Sequence, residues 1–364
     1  MQIWVQRALA VKALPTFWLD RAKRRLDEQT RPTGSLGVLE TLIQKLVAIQ
    51  HREKPDVTKK RIFVFAADHG VEVEGVSAYP RSVTAAMVMN FVQGGATISA
   101  LARQIQAEVR VFDVGVDADL TKGSPGSPLL VHAKVRRGTR NMREEAAMTP
   151  EELDRALSIG WDAVHQARVD KVDLIGLGEM GIANTTAASC VVAALLGLNP
   201  ITVVGRGTGI NPEGLERKTR VIQEALQLHS ESIDNPLEVL RCLGGFEIAA
   251  MTGAILAGGC LGMPLVVDGW VVGAAVLVAY RMNPLVLDYL FFGHESEEKG
   301  HRLLLEALGA RAILKLSMRL GEASGAALAM GILEAGVRVY NEVATFQEAQ
   351  VAGKSAEEKA NSLS

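Results

Sequence analysis

The spacing of apolar positions changes along the chain, and the change divides it. Over residues 1–60 apolar side chains recur at helical intervals, as in Leu39, Leu42, Ile43, Leu46 and Ile49. Ser35, just after the turn-forming RPTG of residues 31–34, is the expected N-cap of that helix. Beyond residue 60 the helical period gives way to short, uniformly apolar runs at 62–66, 109–114, 172–177, 201–204 and 265–267, with a weaker one at 286–292. Each run is closed by glycine or a polar residue. Strands covered on both faces have this character, because alternation disappears when neither face meets water. Helical stretches between the runs predict a doubly wound, parallel α/β sheet. The expected division is an α/β domain over 60–320, a small helical domain made of 1–59 with 321–350, and a polar tail over 351–364. Residues 121–141, rich in Gly, Pro and Ser at their start, read as a loop.

Composition narrows the function classes. Apolar residues make up 48% and charged residues 22% of the 364, the balance of a globular chain with a sizeable core. Lys and Arg number 39 against 41 Asp and Glu, so no basic footprint for nucleic acid or an anionic membrane exists. An anionic ligand must be held by local groups. The three cysteines, Cys190, Cys242 and Cys260, fit neither a disulfide framework nor a zinc site. They read as buried free thiols, and a cytoplasmic setting is the expectation. The N-terminal apolar run is broken by Arg7 and Lys12, and the stretch 246–267 by Glu247 and several glycines. Neither reads as a signal peptide or a membrane span.

Two glycine-rich segments carry the candidate chemistry. In the first, a predicted strand ends near Leu177, Gly178, Glu179, Met180 and Gly181 form a loop, and Asn184, Thr185 and Thr186 open a helix that stops at Gly197. Backbone N–H groups at such a helix start bind phosphate. The same residues also describe a plain strand–helix turn capped by Asn184 or Thr185. In the second, Gly205, Arg206, Gly207, Thr208 and Gly209 follow the run at 201–204. Two such loops at neighbouring strand ends would hold a phosphate and a ribose; two unrelated turns is the other reading. Asp68, Asp113, Asp117 and Asp268 also fall at predicted strand ends, where open α/β sheets place their sites. For any one of them, a cap or turn residue is the readier reading. His294 and His301 lie seven apart without a third ligand, so a solvated helix face is expected there and no metal site.

The motifs RPTGSLGVLE, AADHGV, GLGEMGIANTT, GGFEIAAMTG and MRLGEASGAAL occur in that order. Together they resemble the nicotinate-nucleotide–dimethylbenzimidazole phosphoribosyltransferases of cobalamin biosynthesis, over roughly residues 20–345. The resemblance implies a six-stranded parallel sheet, a small domain from both termini, a homodimer and no cofactor. It also implies the reaction, in which nicotinate mononucleotide and a benzimidazole-type base give an α-ribotide and free nicotinate. By that resemblance Glu322 is the general base, with Glu179 and Lys218 as the other catalytic side chains. Gly178, Met180, Gly181, Asn184, Thr185, Thr186, residues 205–209 and Asp268 would hold the mononucleotide. Tyr79, Met87, Met180 and Leu320 would line the base pocket. The chain departs from many relatives at Ala183, where they carry glycine, and at Tyr79 and Met87, which puts the choice of base in question.

The chemistry suits these parts. A pyridinium leaving group departs with little acid assistance, through an oxocarbenium-like transition state. The incoming azole sheds its ring proton to a carboxylate. Two rival readings are a different nucleotide enzyme, such as a nucleoside phosphorylase or Rossmann oxidoreductase, and a non-catalytic nucleotide-binding partner. The acid in the apolar LGEASG setting favours an enzyme over a binding module.

Overall fold

The structure is a computed structural model that describes residues 2–121, 127–207, 209–232 and 234–352. Six parallel strands form one sheet in the order β3-β2-β1-β4-β5-β6. They are β1 (Lys60–Ala67), β2 (Ala107–Gly115), β3 (Leu130–His132), β4 (Leu174–Met180), β5 (Leu265–Val267) and β6 (Leu290–Phe292). The helices are α1 (Gln2–Leu9), α2 (Thr16–Glu28), α3 (Val38–Gln50), α4 (Ser82–Gln93), α5 (Thr97–Gln104), α6 (Pro150–Val169) and α7 (Asn184–Leu196). There follow α8 (Pro200–Val203), α9 (Pro212–Leu228), α10 (Pro236–Leu243), α11 (Phe246–Leu261), α12 (Trp270–Met282), α13 (His301–Ala307) and α14 (Ser324–Glu342).

The predicted α/β class holds, with three corrections in its strands. The run at 201–204 is not a strand. Pro200 stands at the first helical position and the Asn199 side chain accepts from Ile201 N, so the segment starts a helical turn despite its β-branched residues. The missing strand is β3, three residues long, inside the stretch expected to be loop. In the weaker run, Pro284–Tyr289 is a 3-10 turn and only Leu290–Phe292 joins the sheet.

The sheet is central because β1 is buried along its whole length. Phe65 stacks on Phe112 across the β1–β2 pair with centroids 4.9 Å apart, and Phe63 meets Phe112 edge-on at 5.3 Å. Such ring pairs each contribute about 0.5–1.5 kcal/mol beyond the area they bury. On one side α6 and α11 approach to backbone contact. A Cβ at Gly160 would fall on Ala250 O, and one at Gly253 on Leu157 O, so neither position tolerates a side chain without moving a helix.

The chain separates into two compact units, Met1–Ala13 with Thr58–Gly331, and Leu14–Val57 with Ile332–Ser364. Residues 1–13 and 321–331, expected with the helical unit, belong with the sheet. For α1 the reason is local: Trp4 Nε1 donates to Asp154 Oδ1 at 2.7 Å, and the Arg7 guanidinium lies 4.4 Å from the Trp4 ring and 4.0 Å from that of Trp161. The smaller unit joins α2 and α3 to the end of α14. Gln29 Nε2 donates to Val339 O at 2.9 Å, and Asn341 Nδ2 to Pro55 O at 3.0 Å. Ser35 does not cap α3, which starts after a left-handed Gly37.

Cys190 and Cys242 are buried free thiols, while Cys260 is half-buried with its Sγ on Arg7 O at 2.9 Å. The helical stretch Ser82–Gln104 is apolar and long enough by composition to cross a membrane, but a left-handed Gly94 ends α4 within it. Neither α4 nor α5 alone has the ~20 residues a span requires. Most of the expected tail, from residue 353, lies outside the described residues.

Candidate active site

A cavity of about 660 Å³ opens at the carboxyl ends of β4, β5 and β6. Glu179, Met180, Gly181, Asn184, Thr185, Gly207, Asp268, Tyr79, Leu320 and Glu322 line it. Each was a candidate from sequence. Gly178, Thr186, Gly205, Arg206, Gly209, Lys218 and Met87 stand off its wall, and Thr208 lies outside the described residues. Arg206 and Gly209 are exposed, and Met87 is half-buried on α4.

Residues off the wall shape those on it. Gly178 sits mid-strand against Ala323, whose backbone occupies the space a Cβ would need. Gly181 is excluded from bearing a side chain by Ala67 O. Ala183 then takes a left-handed φ of 72° to start α7, a conformation that costs a residue with a Cβ about 1–2 kcal/mol. No side chain caps α7, so neither Asn184 nor Thr185 is a plain cap. Asn184 instead turns its Nδ2 to Glu179 Oε2.

The second loop follows a helical turn and is drawn to the first by Lys218. From α9 its Nζ donates to Thr185 Oγ1 at 2.7 Å and lies 3.5 Å from Gly205 O. Burial lowers the ammonium to about 8, against which Glu298 and Cys190 act. Gly207 has φ 52°, and a Cβ there would come 2.7 Å from Thr185 Oγ1 and 3.3 Å from Lys218 Nζ.

Glu322 ends a strained turn. Glu322 and Ala323 both hold left-handed backbone, with φ of 65° and 68°, just before α14. Three bonds fix that shape: Glu322 N donates to Glu179 O at 3.2 Å, while Ala323 N and Ala326 N donate to the Asp268 carboxylate at 3.1 and 3.0 Å. Asp268 is thus an N-terminal cap for α14 as well as a wall residue. Burial pushes the Glu322 carboxyl up to about 7, opposed by the Ile98 N–H and reinforced by Asp268. Glu179 rises to about 8, through burial first and then the charges of Glu247 and Asp268; its bond from Asn184 opposes this, and Glu322 adds to it. At neutral pH this pair therefore consists of one acid that keeps its proton and one poised to exchange it.

The remaining strand-end acids do other work. Asp68 Oδ2 accepts Asp117 N at 2.7 Å, Asp113 pairs with Lys134 at 2.8 Å, and Asp117 pairs with Arg81 at 3.1 Å. His294 and His301 are not on a solvated helix face. Both are buried, because the loop after β6 folds back so that Ser296 N donates to His301 Nδ1 at 2.8 Å. Among the described residues no group of three or more His, Cys, Asp or Glu is placed to hold a metal.

Sequence reasoning missed one wall, formed by Trp270, His294, Ser296 and Glu298. Trp270 Nε1, His294 Nε2 and Glu298 Oε2 are buried without a hydrogen-bond partner among the described residues, while His294 Nδ1 lies 3.4 Å from Asp268 Oδ1. Buried polar atoms of this kind call for partners, and a polyhydroxylated ligand supplies them. The only available signal was that this loop follows the weakest strand run.

The comparisons with known proteins show the family and the fold. A phosphoribosyltransferase family profile matches residues 11–351. The chain is 49% identical over 332 residues to the nicotinate-nucleotide–dimethylbenzimidazole phosphoribosyltransferase of Geobacter sulfurreducens, covering 91% of this chain and 93% of that one. It is 47% identical over 351 residues to the protein of the same name from Prosthecochloris aestuarii, covering 96% and 98%. The crystal structure of CobT from Thermus thermophilus superposes with a TM-score of 0.87 at 47% identity, over 93% of this chain and 100% of that one.

Proposed function

This chain belongs to the nicotinate-nucleotide–dimethylbenzimidazole phosphoribosyltransferase family, and from that premise we propose which of its residues carry the reaction. The enzyme transfers the phosphoribosyl group of nicotinate mononucleotide to 5,6-dimethylbenzimidazole or a related base, releasing nicotinate. The bond between the pyridinium nitrogen and C1′ breaks, and its electron pair returns to the ring. A lone pair on the incoming azole forms the new bond from the opposite face, and the azole N–H proton goes to Glu322.

One observation carries these roles: Glu322 presents a buried carboxyl, with a pKa near 7, to a cavity that also receives both glycine loops. The loops, tied together by Lys218, hold phosphate and ribose and so fix C1′. The neighbouring carboxyl groups stabilise positive charge as it develops at C1′. Glu179 stays protonated and spares Glu322 a second adjacent charge. Tyr79, Met180 and Leu320 form the apolar seat of the base.

The test is a mixture of purified protein, nicotinate mononucleotide and dimethylbenzimidazole, resolved by chromatography. Nicotinate and the α-ribotide should appear in equal amounts. Gly207→Val should raise KM for the mononucleotide by about tenfold or more, through its left-handed backbone and contact with Thr185, and leave KM for the base unchanged. Nicotinate released without ribotide would mean hydrolysis and end the transferase reading.

We further propose a cytoplasmic homodimer. The family resemblance supports it. Light scattering at micromolar concentration should give twice the chain mass, and monomer alone would refute the dimer.

A further inference from the structure

We propose that Arg319 is the receptor for the carboxylate of the mononucleotide's pyridine ring, and that it sets the preference for the acid over the amide. The inference rests on the reaction proposed above and deepens it.

Charge balance in the cavity is the first observation. Its wall carries four carboxyl groups, on Glu179, Asp268, Glu298 and Glu322, and one cationic side chain, that of Arg319. A ligand that brings a phosphate and a ring carboxylate into this field needs a positive group for each. Lys218, behind the wall, serves the glycine loops. Arg319 is left for the ring.

Availability is the second observation. Arg81, two residues from Tyr79 of the wall, pairs with Asp117 and Glu72, and Arg206 stands off the wall in the second glycine loop. Arg319 is exposed and makes no side-chain hydrogen bond or ion pair among the described residues.

Its backbone, by contrast, is held on both sides. Glu297 N donates to Met318 O at 2.9 Å, and Glu322 N donates to Glu179 O at 3.2 Å. A left-handed Ser317, φ 52°, turns the chain into this short span. A guanidinium at a fixed rim position, three residues before the proposed base, is suited to grip a carboxylate through two parallel N–H bonds. A carboxamide offers no charge and only one acceptor to that fork.

Calorimetric titration of nicotinate mononucleotide and nicotinamide mononucleotide into wild type, Arg319→Gln and Arg319→Lys tests this without relying on turnover. Wild type should bind the acid ~10–100-fold more tightly than the amide, the range of a hydrogen bond to a charged group. In Arg319→Gln the acid should fall to the affinity of the amide, with the amide changed less than about twofold. Arg319→Lys should recover part of the preference, since it keeps the charge but loses the planar fork. A preference absent from wild type, a preference that survives in Arg319→Gln, or an equal loss for both nucleotides overturns the assignment. The wild-type transfer assay is read separately. Transfer with an unchanged acid preference in Arg319→Gln would sink this inference alone, and lack of transfer would sink the reaction alone.

Discussion

Glu322→Gln should lower kcat by ~10²–10⁴-fold, the usual cost of removing a general base. KM for nicotinate mononucleotide and the melting temperature should stay close to wild type. The bonds that shape the turn use the backbone N–H of residue 322 and the Asp268 carboxylate, and Gln leaves them in place. Gln matches Glu in size but cannot take a proton from an azole N–H. Glu322→Asp, which keeps the acid and draws it back by one methylene, should retain intermediate activity. Steady-state kinetics with dimethylbenzimidazole decides the matter. Near wild-type turnover in the Gln variant would assign the proton to another group or to solvent.

Activity should also follow a bell in pH. Glu322 acts in its ionised form, and burial holds its pKa near 7. Below that value kcat/KM should drop about tenfold per pH unit as the base becomes protonated. Glu179 is needed in its protonated form, and burial with the charges of Glu247 and Asp268 holds it near 8. Above that value the rate should decline again. Glu322→Gln should erase the acid limb of its residual activity and keep the alkaline one. A wild-type profile flat below pH 7 would contradict the Glu322 assignment, and one still flat from pH 8 to 10 would contradict that of Glu179.

The sequence declared its α/β class wherever burial on both faces dictates composition, as at 62–66 and 265–267. Composition misled where a local nucleating signal was stronger. Asn199 and Pro200 start a helix through residues that favour strands, and three residues of β3 are too few to stand out from a loop. The glycine loops and Glu322 were legible because ordered motifs carried them. Trp270, His294, Ser296 and Glu298 were not, since only the fold of the chain after β6 brings them to the cavity. For His294 and His301 spacing suggested solvent, whereas both are buried, His294 in the cavity wall.

The contact between Gly178 and Ala323 divides the site into a part that resists substitution and a part that can drift. No side chain fits at Gly178, and Asp268 clamps the turn that carries Glu322, so the proposed proton acceptor is bound to the sheet itself. The proposed seat of the base is under no such restraint. Tyr79 is 53% exposed and Leu320 41%, so replacing either should disturb the fold by no more than about 0.5 kcal/mol. A lineage or a protein engineer can therefore retarget the enzyme toward azoles of other sizes by small steps at the rim, and each intermediate keeps a working proton acceptor.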